Sequence, residues 1–74
     1  MKTMSITSNT GAAGNARMTG IQNNDVVISA QTDTDRGYVL IPFKSSGSWY
    51  AKCLTWDTWE RVLNTEITFT VKYY

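Results

Sequence analysis

The chain has 74 residues and a mass of 8.3 kDa, with seven Lys/Arg, six Asp/Glu, no His and one Cys. A single cysteine excludes an internal disulfide, and one thiol without histidine argues against a structural zinc site. The longest apolar run, residues 39–43, is too short to cross a bilayer, and a formal net charge of +1 with no basic stripe does not suit a general nucleic-acid binder.

So small a domain buries only about 60–65% of its unfolded surface. With no disulfide or metal, association with other chains is the expected source of further stability. Threonine is the commonest residue, at eleven, while Glu occurs only twice. Helix formers are therefore thin and β formers plentiful. The first twenty residues hold no apolar segment of the kind that marks a secretory signal.

In chain order, residues 1–22 are poor in large apolar side chains. They read as a flexible arm or linker with a possible short strand, Ile6 and Met18 being the candidates to pack. The small-residue stretch 9–15 reads as a loop. From residue 23 to 74 the pattern is that of a compact β domain. Asn23, Asn24 and Asp25 signal a turn. A strand over 26–31 would place Val26, Ile28 and Ala30 on one face, with Val27, Ser29 and Gln31 on the other. Residues 32–37 form a polar loop. Asp33 and Asp35 in it raise the thought of calcium, but the spacing of an EF-hand is missing, and a solvated loop is the expectation.

A strand over 38–43 is apolar on both faces, which predicts burial on both sides. Its Pro42 belongs at a sheet edge or a bulge. Residues 45–48 make a hairpin loop, followed by a long strand over 49–56. Trp49, Ala51, Cys53 and Thr55 share one face of it; Tyr50, Lys52, Leu54 and Trp56 share the other. Asp57 and Thr58 then form a tight turn, with a short return strand over 61–63. The alternative for this stretch is a short helix over 55–64. Residues 66–74 alternate most cleanly: Ile67, Phe69, Val71 and Tyr73 inward, Thr68, Thr70 and Lys72 outward.

The expected fold is all-β, a small antiparallel sandwich or barrel-like domain of five to six short strands. Exposed strand edges favour a closed oligomer, a trimer being the expectation. Catalysis is not expected, because no His, nucleophile elbow or phosphate-cradling Gly loop is present. Cys53 reads as a small buried hydrophobe, and Asp57 with Glu60 as turn residues. No catalytic residue, metal site or cofactor is assigned.

The chemistry worth following is aromatic. Trp49, Tyr50, Trp56 and Trp59 fall within eleven residues. Indole faces stack on the C–H face of a pyranose while nearby polar groups fix its hydroxyls. Lys52, Asp57 and Arg61 stand close by in sequence for that second task. These seven residues are the candidate ligand site. Two other uses compete: a cross-strand staple of the hairpin, and a subunit contact.

The segment Gly37-Tyr-Val-Leu-Ile-Pro-Phe43, then Ser48-Trp-Tyr-Ala-Lys-Cys53, and the alternating end Asn64-Thr-Glu-Ile-Thr-Phe-Thr-Val-Lys-Tyr-Tyr74 resemble the C-terminal domains of bacteriophage tail fibres and tailspikes. The resemblance covers residues 37–74. It implies a receptor-binding or capping domain on a virion, made in the host cytoplasm. It also implies a trimer, or union with a larger fibre chain, and a cell-surface glycan such as lipopolysaccharide or capsule as partner. Nucleic acid and membrane insertion are not implied. The alternative expectation is a structural capping or assembly protein of a virion or pilus, an extracellular appendage, with its aromatics between subunits.

Overall fold

The computed structural model describes residues 1–33 and 37–74. It is all-β, with strands β1 (Lys2–Asn9), β2 (Asn15–Arg17), β3 (Val27–Thr32), β4 (Tyr38–Ser45), β5 (Ser48–Thr55) and β6 (Glu66–Tyr73). They form two antiparallel three-stranded sheets, in the orders β1-β6-β3 and β2-β5-β4. Both sheets feed one core, in which Ile6, Ala30, Phe69 and Val71 of the first meet Ala16, Leu40, Ala51 and Cys53 of the second. A small antiparallel sandwich of six strands is therefore the architecture.

β6 is the centre of its sheet and keeps its alternation throughout. Ile67, Phe69, Val71 and Tyr73 are buried, and the intervening side chains face outward. Only β4 and β5 are joined within one sheet, by a hairpin whose turn residues Ser46 and Gly47 have φ of 50° and 77°. Two successive positive φ values match the right-handed twist of the flanking strands. All other connections pass from one sheet to the other. Pro42 sits within β4, opposite Ala51, and β4 is an edge strand, so its missing N–H breaks no ladder on the open side.

Three sequence expectations need correction. Residues 1–22 are not an arm: β1 pairs with β6 along its full length, and Ile6, Ala16 and Met18 are buried. The signal was hidden because β1 is an edge strand. Its inward positions are filled by Met4 and Ile6 among many Ser and Thr. The stretch 9–15 is likewise anchored, since Thr10 is buried and exchanges hydrogen bonds with Thr65, backbone N–H to carbonyl at 2.8 Å and Thr65 N–H to the Thr10 hydroxyl at 3.0 Å.

In β3 the expected face of Val26, Ile28 and Ala30 is split. A bulge between Val27 and Ser29 turns Ile28 outward, 52% exposed, while Val27 and Ala30 both serve the core. One extra residue reverses the side-chain alternation from there on. The third correction concerns β4, which is not buried on both faces. Leu40 is inside, but Ile41 is exposed and Val39 and Phe43 are only half-covered.

Asp33, at the end of β3, accepts a 2.6 Å hydrogen bond from Thr70 and a 3.4 Å one from Ser5. Its carboxylate ties the strands of the first sheet together. Asp35, its partner in the calcium consideration, lies outside the described residues.

Candidate functional site

The seven candidate residues separate into three places. Trp49 belongs to the inner face of β5. It is half-buried against the core, and its ring N–H donates to the Asp25 carbonyl at 3.2 Å. Asp25 in turn accepts the Gln22 N–H at 2.8 Å, so Trp49 pins the turn that leads into β3.

Trp56, Asp57 and Trp59 lie on the turn that follows β5. Thr55 organises it. Its N–H donates to the Glu60 carbonyl at 2.9 Å, its carbonyl accepts the Trp59 N–H at 3.0 Å, and its hydroxyl accepts the Glu60 N–H at 3.1 Å. Thr55 and Thr58 also share a 2.7 Å hydroxyl contact, and the Asp57 carboxylate accepts the Thr58 N–H at 2.9 Å. No helix forms over 55–64; the chain returns beside β5 through a single antiparallel bridge, Leu54 to Arg61.

The turn forces Trp59 to a φ of 58°, unusual for a bulky side chain. It leaves Trp56 and Trp59 at 65% and 59% exposure. Trp56 is positioned from below by Gly37, whose carbonyl accepts its N–H at 2.8 Å. A Cβ on Gly37 would come within 2.6 Å of the indole ring, so only glycine lets the ring settle there.

Tyr50, Lys52 and Arg61 belong together, on the outer face of the second sheet. Residues directly opposite in antiparallel strands share a face. The registers therefore define three rungs there: Arg17–Tyr50–Phe43, Asn15–Lys52–Ile41 and Arg61–Leu54–Val39. The Phe43 and Tyr50 rings stack with centroids 5.6 Å apart and planes at 22°. A depression of about 290 Å³ is lined by Asn15, Ile41, Phe43, Lys52 and Arg61. A neighbouring one of about 460 Å³ shares Asn15 and Phe43 and adds Tyr50 and residues 11–13. The Asn15 side-chain oxygen is buried there without a hydrogen-bond partner.

Arg17, Asn15 and Phe43 were not among the sequence candidates. The alternation of β4 and β5 held the signal for Phe43 facing Tyr50. Nothing local marked the three-residue β2 as the strand that adds Arg17 and Asn15.

Cys53 is wholly buried and its thiol is pushed above the usual range by desolvation, the opposite of an activated nucleophile. Among the described residues, no three His, Cys, Asp or Glu side chains gather as a metal site would need. Comparison with protein-family models, with curated proteins and with solved structures gives no match to this chain.

Proposed function

We propose that this chain is a non-catalytic carbohydrate-binding module, the end domain of a bacteriophage tail fibre or tailspike that holds a cell-surface glycan and assembles as a trimer or with a parent fibre. One observation carries the binding role: two indoles project into solvent from a turn fixed by the backbone and side chain of Thr55. Exposed tryptophan on an ordered turn offers stacking area at little further ordering cost. Asp57 and Glu60 on the same turn supply hydroxyl acceptors.

Glycan-array binding by Trp56→Ala and Trp59→Ala tests the reading. Each is expected to lose at least tenfold in affinity while keeping the parent melting temperature, since neither ring is in the core. Unchanged binding in both variants rejects the assignment.

A structural capping role has its own support. Val26 and Ile28 are 56% and 52% exposed at the free edge of the first sheet, and such an edge invites a partner strand. Acrylamide quenching of tryptophan emission separates the two roles. A glycan site keeps Trp56 and Trp59 quenchable in the assembled protein, whereas burial between subunits protects them until dilution dissociates the assembly.

A further inference from the structure

We infer that the outer face of the β2-β5-β4 sheet is a second sugar site, selective for an acidic saccharide unit such as a uronate or sialate. The inference rests on the carbohydrate reading above and adds the class of sugar and a place for it.

The nine side chains in the three rungs include three of the seven Lys/Arg of the chain, Arg17, Lys52 and Arg61, and none of its six Asp/Glu. The cations come from positions far apart in sequence, and only the sheet brings them onto one face. None of the three makes an ion pair with a described carboxylate. Like charges gathered this way repel one another, and an anion placed among them relieves the repulsion. The same face carries the stacked Phe43–Tyr50 pair, an apolar platform.

Successive rungs on one face of a strand are about 7 Å apart, two residues at about 3.4 Å each. A pyranose lying on the aromatic rung therefore directs a ring carboxylate toward Lys52 on the next, with Arg61 beyond it. The smaller depression, about 290 Å³, is lined wholly by side chains of these rungs, and the larger, about 460 Å³, meets them at Asn15, Phe43 and Tyr50 before running onto residues 10–13; both volumes suit a small ligand. Asn15 lines both depressions, its amide oxygen buried beneath them. A single-stranded nucleic acid suits this face less well. Successive bases need separate aromatic platforms, and here the two rings form one stack.

The test uses the full chain and three acidic polymers: polygalacturonate, hyaluronate and polysialic acid. Each is paired with its carboxyl-reduced form, and a thymidine 20-mer is added. Binding is measured by affinity electrophoresis and titration calorimetry. At least one acidic polymer is expected to bind, and its carboxyl-reduced form to bind tenfold more weakly or worse. Lys52→Gln and Arg61→Gln are each expected to lose about tenfold on the acidic form, with melting temperature and neutral-glycan binding unchanged.

Equal binding of acidic and reduced forms, indifference to both charge substitutions, or tighter binding of the 20-mer overturns the inference. Should a reduced polymer bind and release on Trp56→Ala while the acidic site fails, the carbohydrate reading stands alone. If no polymer, acidic or neutral, binds, both fall.

Discussion

Phe69 and Cys53 face each other's sheets with no exposed surface, and each illustrates what one side chain decides. For a 74-residue domain, total stability is about 4–11 kcal/mol, so the loss of about 3–5 kcal/mol typical of a buried Phe→Ala change takes most of it. Cys53 sets a pH dependence. Its native thiol titrates above the ordinary value of 9.0 because burial disfavours the thiolate. Above that ordinary value the unfolded chain releases the proton that the native chain still holds. The unfolded state then binds fewer protons, and unfolding free energy falls as pH rises toward the native value. Urea melts from pH 8 to 10.5 should show this loss, with a shallower slope in Cys53→Ala, which has no thiol to titrate. At pH 8 a disulfide reagent should label Cys53 only as fast as the protein opens; rapid stoichiometric labelling of the folded protein would contradict the buried thiol.

Among the elements, β3 is where local pattern and tertiary placement part company. Alternation alone makes Ile28 and Ala30 equivalent; the bulge puts them on opposite faces. Ile28→Lys should therefore change stability by less than about 0.5 kcal/mol. Ala30→Lys should unfold the domain by burying an unpaired charge. Chemical denaturation of the two variants checks this, and equal tolerance of both would remove the bulge from the account. The turn after β5 was legible only in part. Asp57 and Thr58 marked a reversal, but the hydroxyl of Thr55, which caps it, carried no distinctive signal. Thr55 reads in sequence as an ordinary strand residue, and its role depends on Thr58 and Glu60 folding back over it.

For the whole molecule, the main consequence is that the first strand is structural. β1 covers one edge of β6 over eight paired residues and brings Ile6 into the core. Deleting residues 1–9 would leave the central strand of one sheet bare along one edge and open the core beneath it. The shortened chain is expected to lose its cooperative thermal transition and its β-sheet circular dichroism. A cooperative melt within a few degrees of the parent would restore the picture of a dispensable arm. The exposed β3 edge belongs to the first sheet and the basic, aromatic face to the second, whose strand β5 runs directly into the indole-bearing turn.

Legible from the amino-acid order alone were the fold class and the packing face of β6, because a two-residue period reports directly which side chains a sheet must hide from water. That order also marked Trp56 and Trp59 as candidates, since two large rings on either side of the tight turn of Asp57 and Thr58 leave at least one at the surface. The pairing of the Ser/Thr-rich start as an edge strand emerges only once the chain is folded, since edge strands need few apolar residues to be held. The gathering of Arg17, Lys52 and Arg61 beside Phe43 and Tyr50 was also settled by the tertiary structure. The β4–β5 hairpin turn sets Phe43 opposite Tyr50 locally, but placing Arg17 and Arg61 on the same face depends on strands brought together from far along the chain, whose register the packing of the whole sandwich fixes.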